Sequence, residues 1–471
     1  MESSHYLSDD CWETVINHLN TASDQRHLDW LSLVSKQLLS VTNQALERLK
    51  VFDRTKIALP AHLMRFPHLK MIDLSDCSED ITSVLQEVTN SDLDLQGLDL
   101  SNQQDLPLES LKEIALRKRN FRVLKCSRLA ILRDHELTAL GDIFPSLEEL
   151  DISYPSYGSA VTDQSIIALS TKLSNLAKIN LAGHLPLSNE CLKSLSSNCK
   201  KLREVILQHC CGMTQEGVAF LVKNNPNLVA LSLAFPGGLS SKSDIHFASL
   251  RMLNTLELSH MNISDHVLFQ IADAKIPLKR FSLCHCREYT FAGVIYFLHT
   301  YDSLESIAFA DVSFLNDHYL ILFSKFFKRA VSIKLNCCPK LTDQAFSTLW
   351  VECPMLEKLE MAKAGIGHHN ARNLVQVHPQ LEYLNLSGNR LWGEETTKSF
   401  ALLCPNITCL DLSCGTFLNK SVIDILENCK KLRHLKINWC RDILAVEGTS
   451  RFERLETVSY THLTLPTNRE V

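Results

Sequence analysis

The pattern L-x-x-L-x-L, apolar at positions i, i+3 and i+5, recurs along this chain at nearly constant spacing. Residue i falls at 69, 95, 121, 147, 176, 202, 228, 253, 278, 304, 330, 356, 381, 407, 432 and 455, so successive registers lie 23 to 29 residues apart, mostly 25 or 26. Clear examples are Leu147/Leu150/Ile152, Leu228/Leu231/Leu233 and Leu381/Leu384/Leu386, and the weakest are Phe121/Leu124/Cys126 and Ala330/Ile333/Leu335. A unit this short cannot bury its own apolar face, so it has to stack on copies of itself. The 471 residues would otherwise suggest about three ordinary domains.

The second half of each unit predicts a helix. About twelve residues after i stands a Ser, Thr or Asn, followed by apolar residues three, four and seven positions on. Thr342 precedes Ala345, Phe346 and Leu349; Ser188 precedes Cys191, Leu192 and Leu195; Ser264 precedes Val267, Leu268 and Ile271; Asn316 precedes Tyr319, Leu320 and Phe323. A short polar side chain satisfies free amides at a helix start, and this spacing makes one apolar face. The single 29-residue interval places its cap at Thr162 and its three extra residues in the loop Tyr154–Ala160. Cysteine recurs seven or eight residues after i, in His209-Cys210-Cys211, Cys284-His285-Cys286 and Cys337-Cys338.

With Cys337-Cys338-Pro339-Lys340-Leu341-Thr342-Asp343 and Cys199…Cys210 in this frame, the chain resembles the cysteine-containing leucine-rich repeats over roughly residues 67–458. The resemblance implies an α/β solenoid, a horseshoe with parallel strands on the concave wall and helices outside.

Residues 1–50 do not share the repeat. Asp10 with Glu13 reads as a capping box, Trp12, Val15, Ile16 and Leu19 as one helical face, Leu31, Val34 and Leu38 as a second, and Leu46 and Leu49 as a third. Residues 51–66 read as a linker. About 45 residues of short helices make a weak core and need a docking partner. Here Leu7-Ser8-Asp9-Asp10-Cys11-Trp12, Ile16, Leu19 and Leu31–Leu38 resemble the F-box motif, with Ser8 where proline is usual and Leu38 where tryptophan is common. An F-box followed by such repeats resembles the substrate receptors of Skp–cullin–F-box ubiquitin ligases, and Asp9–Trp12 is similar to the plant members. The resemblance implies that Leu7, Trp12, Ile16, Leu19, Leu31, Leu33, Val34 and Leu38 dock the Skp adaptor, and through it cullin, while the repeats hold a protein substrate. A hormone co-receptor or a plain interaction scaffold are the alternatives.

Chemistry is sparse. No G-x-S-x-G, Walker loop, H-E-x-x-H or C-x-x-C occurs, so no catalytic residue, cofactor or metal ligand is expected. Gly365-Ile366-Gly367-His368-His369 lacks a P-loop lysine. The Cys and His clusters would suit zinc, but their place in the repeat makes them buried filler. Lys and Arg number 48 against 53 Asp and Glu, which gives no basic stripe for nucleic acid, and no apolar run reaches the ~20 residues that span a membrane. Met1–Glu13 has no signal-peptide pattern, so the seventeen cysteines are expected in a reducing nucleus or cytoplasm, and the sequons at Asn262 and Asn406 are chance.

Strand alternation turns i+3 and i+5 into the core and i+2, i+4 and i+6 onto the wall. At i+4 the early repeats read Asp73, Asp99, Lys125 and Asp151, an acidic end, and the middle ones Ile206, Ser232, Glu257, Ser282 and Ala308. Lys125, Lys178, Arg280, Lys334, Lys358 and Lys436 are spread one per strand, with no convergent anion pocket. At i+7, Tyr154, His209, Phe235, His260 and His285 form an expected exposed row of rings, the candidate substrate-binding residues. Ala234–Asp244 has Ser243 and Asp244 where a helix needs apolar residues, so that unit is expected to carry a loop instead. The end, residues 459–471, cannot complete a unit and reads as an atypical tail, a read-through or adapter-derived end rather than native sequence.

Overall fold

The computed structural model describes Trp12, Val15 and residues 32–459, apart from 79, 157–158, 160, 241–243, 367–376, 390–401, 416–418, 441–454 and 456. The chain divides into two compact units, 1–225 and 226–471.

In the first unit a helical turn at 32–34 leads through Ser35 into α1 (Lys36–Ala45). Ser35 caps α1 by accepting from the Leu38 amide at 3.1 Å. Among the described residues seven strands follow: β1 (Arg48–Phe52), β2 (Met71–Asp76), β3 (Gly97–Asp99), β4 (Val123–Lys125), β5 (Glu149–Asp151), β6 (Lys178–Asn180) and β7 (Glu204–Leu207). Each pairs in parallel with the next. Between them lie α2 (Leu59–Arg65), α3 (Thr82–Asn90), α4 (Leu108–Arg117), α5 (Asp134–Ile143), α6 (Asp163–Lys172) and α7 (Asn189–Asn198), and α8 (Gln215–Asn224) ends the unit.

Among the described residues the second unit carries ten strands: β8 (Ala230–Leu233), β9 (Thr255–Ser259), β10 (Arg280–Cys284), β11 (Ser306–Ala310), β12 (Ser332–Lys334), β13 (Lys358–Glu360), β14 (Tyr383–Asn385), β15 (Cys409–Asp411), β16 (His434–Lys436) and β17 (Thr457–Ser459). These too pair in parallel, each with its successor. Its described α-helices are α9 (Asp265–Asp273), α10 (Phe291–Thr300), α11 (Asp317–Ser324), α12 (Asp343–Glu352) and α13 (Asn419–Asn428).

The expected register holds at its weakest points: Ala330, Ile333 and Leu335 are all 0 % exposed, and Phe121, Leu124 and Cys126 are buried. Helical faces such as Ala345, Phe346 and Leu349 close over the strands. The linker reading of 51–66 is corrected. Leu46 and Leu49, expected on a helix, enter and lie on β1 in parallel register with β2, and α2 follows. Leu46, Leu49 and Val51 are a further L-x-x-L-x-V unit, 23 residues before Leu69, the same spacing as between Leu432 and Leu455. The loop expected at Ala234–Asp244 stands: its described residues hold no α-helix, and Ile245 and the 3-10 turn Phe247–Ser249 fill the space.

Three ladders of polar contacts run between neighbouring units. First, the residue opening one helix accepts from the cap of the next: Asp163 Oδ2 from Ser188 Oγ at 2.5 Å, Asp265 from the Thr290 amide and hydroxyl at 2.7 and 2.6 Å, and Asp317 from Thr342 at 2.8 and 2.6 Å. Second, the residue at i+8 donates to the i+5 carbonyl of the preceding unit. Cys210 Sγ gives to Leu181 at 3.2 Å, Cys286 to Leu258 at 3.4 Å and Cys338 to Phe309 at 3.5 Å. Gln103 donates to Leu74 at 2.9 Å, Asn389 to Met361 at 2.8 Å, and His184 Nε2 pairs with Ile152 O at 2.7 Å in the same place. Cysteine there is a hydrogen-bond donor as well as filler. Third, residues three before i reach the preceding helix end: Asn225 to Cys199 O at 3.1 Å, Tyr301 to Ile271 O at 2.8 Å, His378 with Trp350 O at 2.8 Å, and buried Lys118 to Leu93 O at 3.0 Å. Each such bond contributes about 1 kcal/mol.

Candidate functional site

The exits of β3 to β7 and of β9 to β16 are built alike. At i+7 the backbone enters the left-handed region at Asn102, Arg128, Tyr154, Gly183, His209, His260, His285, Asp311, Cys337, Lys363, Gly388, Cys414 and Trp439. This turn ends the strand and carries the side chain out of the core. The described rings of the predicted row follow it within each unit. In the first, the Tyr154 and His209 rings lie 6.2 Å apart at 56°, and Tyr154 Oη meets Gln208 Oε1 at 3.4 Å. Gly183 between them has φ +82°, and a Cβ there would stand 2.8 Å from Tyr154 Cδ1. In the second, His260 and His285 stack with centroids 4.8 Å apart at 9°, and His285 Nδ1 lies 3.3 Å from Asp311 Oδ2. Phe235 departs from the row: it is 2 % exposed and lacks the left-handed turn. Its unit has no α-helix among the described residues, so the ring fills that core instead of facing a partner.

The acidic end of the wall is largely internal. Asp73 and Asp99 are buried, and Arg48 reaches both, at 2.8 and 3.4 Å. Asp73 Oδ1 also accepts from the Ser75 amide and hydroxyl at 3.0 and 2.6 Å. Burial pushes its carboxyl up, but Ser75 and Arg48 outweigh that and hold it below the ordinary range. Asp151 with Ser153, and Asp411 with the Ser413 amide, repeat the contact. The i+4 acid is therefore first a cap on the strand exit. Arg48 was missed because β1 was not recognised.

In the second unit two of the basic residues do converge. Lys334 Nζ lies 3.3 Å from Glu360 Oε2, and Lys358 Nζ lies 3.7 Å from Glu360 Oε1 and 4.6 Å from the Tyr383 ring centre. The signal available in the sequence was their placement at i+4 and i+2 of successive strands.

Of the adaptor candidates, Leu33 and Val34 are 83 % and 71 % exposed on the turn before α1, and Trp12 is half-buried in a helical segment. Leu38 is buried with Val41 and Ala45 inside the unit, so it supports the module and does not present a docking face. Leu7, Ile16, Leu19 and Leu31 lie outside the described residues, as do the Asp10–Glu13 capping box, His368 and His369, and the tail beyond Ser459.

Burial raises the thiols of Cys210 and Cys286 to about 12 and that of Cys338 to about 11, which keeps them protonated donors. Among the described residues no three His, Cys, Asp or Glu side chains are grouped to hold a metal ion. No described helix is long and apolar enough to cross a membrane.

No family model matches the chain. It resembles several solved structures at 18 % identity. The complex of Rad7 and Elc1 in yeast aligns with a TM-score of 0.50 over 87 % of this chain and 89 % of that one. An internalin, InlF, from Listeria monocytogenes aligns at 0.44 over 81 % and 94 %. The TLR13–ssRNA13 complex aligns at 0.41 over 84 % and 56 %. With the strand-and-helix units described above, the fold is that of a leucine-rich-repeat solenoid.

Proposed function

We propose that this chain is the substrate-recognition subunit of a Skp–cullin–F-box ubiquitin ligase. The N-terminal module docks the Skp adaptor, and the repeats hold a protein destined for ubiquitination and degradation. The chain itself is non-catalytic. It raises the concentration of substrate lysines around a thioester carried by another subunit, so its contribution is proximity. On this reading it acts in the nucleus or cytoplasm.

The observation that carries the reading is the exposure of Leu33 and Val34. Two adjacent large apolar side chains face outward on the turn that precedes α1, while Leu38, Val41 and Ala45 on α1 face in. A short helical segment that buries one face and displays another suits a partner helix better than a free surface. The resemblance of Leu7–Leu38 to an F-box names that partner as the Skp adaptor. The likeness to Rad7, seen in complex with Elc1, is compatible with a repeat protein that works inside an assembly.

The test is capture of purified Skp adaptor by the full chain and by a Leu33→Asp, Val34→Asp variant, with Leu116→Asp as the control at another exposed apolar site. Capture by the wild type and the control but not by the double variant is expected. Failure of the wild type to bind, or equal capture by all three, would leave an interaction scaffold as the function.

A further inference from the structure

The wall formed by β12, β13 and β14 has a small checkerboard. Ser332, Lys358 and Tyr383 stand in register in one row, and Lys334, Glu360 and Asn385 in the next. Lys334 approaches one oxygen of Glu360 and Lys358 the other, and Asn336 Nδ2 donates to Oε2 at 3.1 Å. Two ammonium groups are thus drawn together by one carboxylate, which leaves a positive excess at this spot. The Glu360 side chain is only 16 % exposed, while those of Lys334 and Lys358 are 43 % and 47 % exposed. The negative charge therefore sits low and the positive charges stand above it. Lys358 is further held over the Tyr383 ring, an arrangement that fixes a flexible side chain before any partner arrives. Each ammonium has three protons to donate, more than Glu360 consumes. Elsewhere on the described strands Lys125 and Lys178 each meet one carboxylate, Glu149 and Glu204, as single compensated pairs.

We infer that Lys334 and Lys358 form a seat for an acidic peptide segment, one anionic side chain bridging the two ammonium groups above Glu360 beside the Tyr383 ring. This deepens the proposed function by assigning a substrate class to the wall, and rests on the wall being the recognition surface. Adaptor docking is a separate property, read at the N-terminal module.

The test uses the full chain and a fluorescein-labelled decapeptide of alternating Glu and Ser, with a Gln and Ser decapeptide and a phosphoserine and Gly decapeptide as further arms. Anisotropy should show binding of the Glu peptide over the Gln peptide. The affinity should fall about tenfold in Lys334→Gln, Lys358→Gln, through loss of two charge contacts. It should rise in Glu360→Gln, which removes the competing carboxylate. Lys178→Gln, Lys279→Gln changes the net charge equally at paired surface lysines and should leave binding unchanged. Preference for the phosphoserine peptide with the same dependence on Lys334 and Lys358 would support the seat and identify phosphate as its anion. Equal loss in both double variants, or equal binding of Glu and Gln peptides, would overturn the inference. If peptide binding fails while the adaptor is still captured, only this inference is lost. If the adaptor fails while the peptide binds, the ligase reading is lost and an acidic-peptide scaffold remains.

Discussion

Asp265 opens its own helix and, one unit along, accepts both the amide and the hydroxyl of Thr290, at 2.7 and 2.6 Å. A Cβ at Gly293 would stand 2.2 Å from Asp265 Oδ1, the oxygen that accepts the Thr290 amide. The cap of one helix is thus completed by the start of its neighbour. Asp265→Ala should cost about 1–2 kcal/mol, as for lost helix caps elsewhere. Gly293→Ala should cost a similar amount, and the double variant less than the sum, because both act on one contact. Urea midpoints of the three variants decide this, and strict additivity would show that the two residues are not coupled.

Gly238 is a case of backbone against backbone. Its φ is +64°, and a Cβ would lie 2.1 Å from the Asn262 carbonyl oxygen, beside the bridge from Leu239 to Ile263. Gly238→Ala should destabilise by about 2 kcal/mol or more, since neither strain nor overlap can be relieved by a side-chain rotation. A thermal midpoint unchanged from wild type would refute the geometry.

The left-handed turn can be tested where the side chain is exposed. Lys363 sits at φ +52°. Lys363→Gly should stabilise by about 1 kcal/mol because glycine carries no left-handed penalty, and Lys363→Val should destabilise by at least as much. If the valine variant matches the glycine one in a denaturant titration, the residue is not held in that region.

His184 gives a pH dependence. Burial holds its pKa below the ordinary 6.5, partly offset by the contact with Ile152 O. A folded value below the unfolded one means that the unfolded chain binds the extra proton first. The stabilisation is therefore complete above about pH 6.5 and is lost as pH falls through the lower folded value. Stability followed from pH 7 downward should decline less steeply in His184→Gln, which keeps a donor as Gln103 does. An identical slope would exclude His184 as its source.

Thiol reactivity should separate the cysteines by place in the unit. Cys210, Cys286, Cys338 and Cys353 are buried with raised pKa values, whereas Cys211 and Cys414 are exposed. A disulfide reagent at pH 8 should label Cys211 and Cys414 rapidly, and the buried four only on unfolding. Mass mapping that finds Cys210 labelled as fast as Cys211 would contradict the i+8 donor role.

The repeat was legible because burial imposes it: Leu147, Leu150 and Ile152 have one environment in every unit, and only apolar side chains satisfy it. The first unit was hidden because Leu46 and Leu49 fit a helical period as well as a strand one, and tertiary pairing with β2 decided between them. Phe235 was misplaced because position i+7 predicts exposure only where the turn is left-handed, and the φ of a phenylalanine is not written in its identity. The convergence of Lys334 and Lys358 needed the strand register, since they are 24 residues apart in sequence. The polar ladders escaped because Cys, Gln, Asn and His look unrelated until they are seen to donate to the same carbonyl.

The turn at i+7 also insulates what a unit displays from what it packs. Asn102, Arg128, Tyr154, His209, Asp311, Lys363 and Trp439 occupy one backbone geometry while offering amide, cation, aromatic ring, imidazole and anion. None of these changes alters the buried apolar residues two and four positions earlier. Such a chain can alter its surface one unit at a time while the core stays the same, so new partners are reachable by single substitutions that leave folding intact.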